Sequence, residues 1–207
     1  MDTLALATIV CGIASLLSLL ILHFVSPEFQ PSWRMVSEYA MGKHKWLITS
    51  FFLLWGASSL LLSFLLWDLV SGIWARVGII LLVISAIGEI MGGLFDVKHK
   101  HHGMAFLLGV PTLPVAALLI SYNLAGRISS TSTLLISAHA TWISLVVMSV
   151  AMGVMFAGFK KAGIIMNKDT VLPEKVPDGV IALAGYANRI LILCYVGWLI
   201  VAAISAS

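Results

Sequence analysis

The chain predicts an all-α polytopic membrane protein, six transmembrane helices in one antiparallel bundle with both termini extracytoplasmic. Three observations carry this. First, 60% of the residues are hydrophobic and only 10% charged, with a mean hydropathy of +1.06, where soluble chains carry roughly 25% charged residues. Second, six apolar stretches of about 20 residues each match the ~30 Å that a hydrocarbon core requires at 1.5 Å per residue. Third, lysine and arginine divide unevenly among the connections. With so little outside the spans, residues 1–207 read as a single transmembrane domain with no room for a soluble one.

The first span, Leu4–Phe24, resembles a signal peptide in length. It lacks a basic leading segment, because the chain opens Met-Asp-Thr, and no small-x-small cleavage site follows His23. It is therefore expected to stay as a helix. The second, third and fourth spans are Trp46–Trp67, Gly72–Leu94 and Gly103–Leu124. Pro111 and Pro114 fall near the middle of the fourth. They remove backbone donors there, so a kink is expected, and the freed carbonyls must meet a neighbour or a water-lined cavity. The fifth and sixth spans are Thr133–Gly158 and Tyr186–Ser205. Cys11 and Cys194 lie inside spans and read as small buried hydrophobes rather than a disulfide framework. Trp46, Trp67, Trp74 and Tyr122 fall near span ends, where amphipathic rings favour the headgroup level.

Ten basic residues lie on one side: Arg34, Lys43, Lys45, Lys98, Lys100, Lys160, Lys161, Lys168, Lys175 and Arg189. Arg76 and Arg127 lie on the other. The positive-inside rule places the ten in the cytoplasm. The pI near 9.0 follows from these loops and points to a membrane surface, not to a nucleic-acid partner. Two connections run to about 20 residues, one carrying Pro27 and Pro31, the other Pro173 and Pro177. Long loops in so small a chain are often caps or partner surfaces.

Lipid cannot solvate a charge, so ionisable residues within spans are the informative ones. Glu89 sits about 9 Å from the cytoplasmic end of its span by helical rise, flanked by Gly88, Gly92 and Gly93. It reads as a general base, a proton carrier, a cation ligand or a packing carboxylate. Asn188 and Arg189 lie at nearly the same depth. Arg189 is open to three readings: a snorkelling cation, the partner of a buried Glu89–Arg189 pair, or an anchor for an anionic head group. Tyr186, about one turn away, could share its face. Glu38 and Tyr39 precede the second span and read as solvated loop residues or as the mouth of the bundle. The run Asp96-Val97-Lys98-His99-Lys100-His101-His102 has metal-like spacing in Asp96, His99, His101 and His102, suited to zinc. Lys98 and Lys100 interleave with it and disfavour a dication, leaving as alternatives a catalytic or hydrogen-bonding role for Asp96 and His102, or a solvated turn. Six histidines in all are too few for the separated boxes of membrane desaturases. His139 stands apart near the outer third, with Ser137, Thr141 and Ser144 available to satisfy its ring. His23 and His139 lie at opposite ends of their spans, against a bis-histidine haem.

Pro27, the Ser37-Glu38-Tyr39 run, Asp96, His101-His102, His139 and Arg189 together resemble the "domain of unknown function 998" group of small bacterial and archaeal six-span proteins. The resemblance covers nearly the whole chain. It implies a six-helix bundle in a prokaryotic plasma membrane and no settled activity.

Three functional readings stay open. The leading one is a cavity in the cytoplasmic leaflet that binds a lipid head group or small amphiphile through Glu38, Tyr39, Glu89, Asp96, Tyr186, Asn188, Arg189 and His139. The second is metal-assisted hydrolysis or lipid-group transfer, with Glu89, Asp96 and His102 catalytic and zinc on the histidine turn. The third is a proton-coupled transporter, with membrane lipid around it and a second copy as a partner.

Overall fold

The computed structural model describes residues 2–164 and 175–207. Among them the chain forms seven α-helices and one short 3-10 helix, with no strand. These are α1 (Thr3–Val25), the 3-10 helix (Val36–Met41), α2 (Lys45–Leu66), α3 (Ile73–Leu94), α4 (His102–Gly109), α5 (Thr112–Leu124), α6 (Thr131–Lys161) and α7 (Ala184–Ser205). Helices α4 and α5 together make one span, giving six helical segments long and apolar enough to cross a membrane. The protein is an integral membrane protein. Lys168 and Pro173, read from the sequence as loop residues, lie outside the described residues.

The helices pack through small and hydroxyl side chains, as lipid-embedded helices must when apolar burial gives no preference for protein over lipid. Helix α1 buries Ala5, Thr8, Gly12, Ser15, Leu19 and Leu22, a stripe repeating every three or four residues. Its polar members are satisfied within the stripe: Thr8 Oγ1 donates to the Leu4 carbonyl at 2.8 Å, and Ser15 Oγ to Gly12 at 2.7 Å. Ser58 of α2 then donates across to the Thr8 carbonyl at 2.9 Å. The other face of α1 exposes Leu6, Val10, Ile13, Leu17 and Phe24, side chains suited to acyl tails. Helix α7 is the most enclosed, burying Leu191, Tyr195, Trp198, Leu199 and Ala203 against its neighbours.

The break expected in the fourth span is present, at Val110 and Pro111 between α4 and α5. Pro114 falls in the first turn of α5, where a missing N–H costs no intrahelical bond. The carbonyls of Leu108, Gly109 and Val110 at the break each meet a donor. Thr112 Oγ1 donates to Leu108, Ser85 Oγ of α3 donates to Gly109 at 2.8 Å, and Tyr195 OH of α7 donates to Val110 at 2.7 Å. Gly88 makes the crossing with α3 possible, since a Cβ there would sit 2.2 Å from the Gly109 nitrogen.

The 26–44 and 95–101 segments meet at one end of the molecule, hereafter the basic end. There Lys45 pairs with Asp96 at 3.0 Å, and Gly185 N donates to the Ser32 carbonyl at 2.9 Å. Gly185 is needed at this contact, because a Cβ would lie 2.4 Å from the Pro31 oxygen.

Candidate functional site

Three polar assemblies form near the basic end, and they divide the residues that the sequence placed at one depth. The first surrounds Glu89. Its carboxyl is buried and takes Ser59 of α2 at 2.7 Å on one oxygen and Ser85 of α3 at 2.9 Å on the other. Ser85 has one hydroxyl hydrogen but lies within reach of both Glu89 Oε1 and the Gly109 carbonyl. Ser85 is the donor toward both, its one hydrogen shared between the Glu89 carboxyl and the Gly109 carbonyl. Glu89 thus sits in a hydrogen-bonded chain that runs from Ser59 to the broken span.

Glu89 borders a cavity of about 90 Å³. Ser37, His102 and Asn188 also line it, drawn from the first connection, the start of α4 and the first turns of α7. Its apolar wall is Phe52, Phe106, Leu191 and Ile192. Gly88, Gly92, Ala105 and Gly109 leave the space, because none projects more than a methyl group. The lining also includes Trp55, whose indole nitrogen is, among the described residues, the buried side-chain polar atom without a hydrogen-bond partner. Leaving a buried donor unmade costs roughly 1–3 kcal/mol, so an empty-handed Trp55 is an outlier in a protein where other buried polar groups are paired. A larger open furrow of about 510 Å³ lies at the opposite end between α3 and α5. Its lining carries no carboxylate, cation or imidazole, and it has the shape of a lipid-facing crevice rather than a site.

The second assembly centres on Arg189, and it overturns the Glu89–Arg189 pair. Arg189 Nη1 donates to the carbonyls of Pro31, Arg34 and Gly185 at 3.1, 2.8 and 2.9 Å, and Nη2 donates to Tyr39 OH at 3.2 Å. Nε donates to His23 Nε2 at 2.6 Å, while His23 Nδ1 donates to Leu19 at 2.7 Å. The guanidinium is a clamp that closes the first connection onto α1 and α7. Glu38 and Tyr39 belong to this clamp and are buried, not solvated as one reading had it. Glu38 accepts from Arg34 at 2.9 Å and from the Met35 N–H at 2.8 Å. Asn188 bridges the two assemblies: its Oδ1 accepts from Val36 N at 2.9 Å, and its Nδ2 rests on the Met148 sulfur at 3.5 Å. Tyr186 is about half exposed and lines no part of the cavity, so it does not share the inward face of Arg189.

The third assembly is the histidine turn. Asp96 is engaged by Lys45, whose hydrogen bond holds the carboxyl below its ordinary range. His99 stacks on Phe95 with ring centroids 4.4 Å apart, and its Nδ1 accepts from the His101 N–H. His102 Nδ1 donates to the Phe95 carbonyl at 3.0 Å. Among the described residues no three His, Cys, Asp or Glu side chains gather as a metal-ligand set, so Asp96, His99, His101 and His102 are not brought together. His139 lies elsewhere. Its Nδ1 accepts from Trp142 at 2.8 Å and its Nε2 meets Tyr122 OH at 3.0 Å. The expected partners Ser137, Thr141 and Ser144 bond instead to carbonyls of their own helix.

The family model described as "Protein of unknown function (DUF998)" matches residues 9–205. The chain belongs to that family. No curated protein and no solved structure matches it. What the DUF998 chain offers chemically is therefore read from its own side chains.

Sequence reading missed Trp55 of the cavity lining and the two serines that hold Glu89, Ser59 and Ser85. Signals for two of the three were present. Trp55 lies about 15 Å from the start of α2 by helical rise, far from the interface where tryptophan is favoured. Ser85 precedes Glu89 by one helical turn, within reach of its carboxyl.

Proposed function

We propose that this DUF998 protein binds the head group of a lipid or small amphiphile in the cavity bounded by Glu89, Trp55, His102 and Asn188. In this reading the six spans form one antiparallel bundle and a single domain. Both termini lie outside a prokaryotic plasma membrane, and the cavity lies in the cytoplasmic leaflet. The carrying observation is Trp55: a cavity inside the apolar spans whose lining holds a buried indole N–H with no acceptor. An acceptor brought by a ligand would remove that cost. The aliphatic and aromatic wall, Phe52, Phe106, Leu191 and Ile192, suits the start of an acyl chain.

The structure favours neither alternative. Asp96 is occupied by Lys45 and stands apart from the cavity lining, so Glu89, Asp96 and His102 do not converge as a catalytic set. A transporter built on the broken span would present its carbonyls to an ion, yet those of Leu108, Gly109 and Val110 are already taken.

The test is native mass spectrometry of gently extracted protein, beside a variant that fills the cavity, Ala105→Leu. Retained lipid in the wild type, lost in a variant that still melts cooperatively, is the expected result. A lipid-free wild type whose melting is unmoved by added lipid would remove the reading.

A further inference from the structure

We infer that the head group this cavity takes is electrically neutral and hydroxyl-bearing, an alcohol or polyol on a hydrocarbon chain. The inference rests on the reading of the cavity as a head-group site and narrows it.

Charge comes first. Among the described residues no lysine or arginine lines the cavity. The guanidinium groups at the basic end are committed elsewhere, Arg189 to three carbonyls, a hydroxyl and an imidazole, and Arg34 to Glu38 and the face of Trp33 at 4.0 Å. A phosphate or carboxylate head would enter without a counter-charge, where such groups are normally met by Arg, Lys or several backbone N–H groups. A cationic head fares no better. Among the described residues the one carboxyl on the lining is Glu89, and each of its oxygens already holds a serine hydroxyl.

Donor and acceptor sense comes second. Trp55 Nε1 offers a hydrogen and has no acceptor. Asn188 has two Nδ2 hydrogens, and Nδ2 rests on the Met148 thioether sulfur, a weak acceptor. His102 donates from Nδ1 to the Phe95 carbonyl, so in its neutral form Nε2 carries a lone pair and can only accept. The lining thus offers both senses at once. A phosphate dianion presents acceptors only, a protonated amine presents donors only, and a quaternary ammonium such as choline presents neither. A hydroxyl presents one of each on a single atom, the complement of an indole N–H and an imidazole lone pair.

The probes are three amphiphiles that share one oleoyl chain: monooleoylglycerol, oleoyl lysophosphatidate and oleoylcholine. Each is titrated against purified full-length protein in a mild detergent, and an apparent Kd is read from the melting shift. Trp55→Phe removes the N–H and keeps an aromatic ring. The variant also gives up part of a ring packed on Phe51, Phe52 and Tyr195, so its unliganded melt serves as the baseline from which each probe's shift is read. Monooleoylglycerol is expected to bind the wild type most tightly and to weaken about fivefold in Trp55→Phe, the worth of one hydrogen bond. If lysophosphatidate or oleoylcholine shows the larger Trp55-dependent affinity, the head is charged; the head-group site survives and this inference falls. If none of the three depends on Trp55, the head-group reading itself falls and takes this inference with it.

Discussion

Arg189→Ala removes a side chain that joins four parts of the chain, and the structure allows its cost to be worked out. The lost partners are three carbonyls, on Pro31, Arg34 and Gly185, with the Tyr39 hydroxyl and His23 Nε2. A buried acceptor stripped of a charged donor costs about 1–3 kcal/mol. Arg189 is partly exposed, so water can reach some of these groups. Taking two acceptors as left dry gives roughly 3 kcal/mol. At about 2–4 °C per kcal/mol for a chain of this size, melting should fall by about 6–12 °C. Arg189→Lys should lose about half as much, because an ammonium has three donors at one point and cannot span from His23 to the Arg34 carbonyl. Thermal unfolding in detergent, followed by cysteine reactivity at Cys11 and Cys194, measures both. An alanine variant melting within about 2 °C of wild type would refute the clamp.

Three further outcomes follow from the same geometry. Glu89→Gln keeps a donor toward Ser85 and an acceptor toward Ser59, so its melt should stay within about 1 kcal/mol of wild type while Glu89→Ala loses roughly 2–3 kcal/mol. Equal losses in the two variants would mean that the carboxylate charge, and not the two hydrogen bonds to serine, carries the stability. Gly88→Ala should destabilise by about 3 kcal/mol or more, since backbone stands where the methyl would go. Gly153→Ala, with nothing within 4 Å, is the matched control in the same melting assay. Asp96 is held low by Lys45, so its contribution to stability is present above the unfolded carboxylate value, about 3.9, and is lost as pH falls through the lower folded value. The pair is half-exposed and its effect small. Melting of wild type should fall more steeply below about pH 4 than that of Lys45→Gln, and parallel curves would contradict the pairing.

The spans were legible because length and apolarity are local properties, and so was the break, because Pro111 and Pro114 act on their own helix. Glu89 was legible as an exception to composition. Its partner was not. Depth and opposite charge suggested Arg189, but the guanidinium is consumed by carbonyls of the first connection, whose path across α7 no local pattern encodes. The solvated reading of Glu38 and Tyr39 fails for the same reason: burial of that loop depends on Gly185 admitting the Pro31 backbone, a contact between residues about 150 apart in the chain. Tyr186 shows the limit of helical spacing, which relates faces of one helix but not what covers them.

The break and the cavity are one construction. A proline-broken span in lipid must find donors for its carbonyls, and here α3 and α7 supply them through Ser85 and Tyr195. Those donors reach the break only because Gly88 and Gly109 let the backbones meet. The same absence of side chains, extended by Gly92 and Ala105, leaves the hollow beside Glu89. Ser85 therefore ties the helix break to the polar wall of the cavity: its hydroxyl is the donor toward both Gly109 and Glu89. A ligand that bonded Glu89 would compete with Ser85 or Ser59, and so would act on the junction of α4 and α5. If the hollow takes a ligand as proposed, the expected conformational response begins at that junction, where Ser85 meets both Gly109 and Glu89.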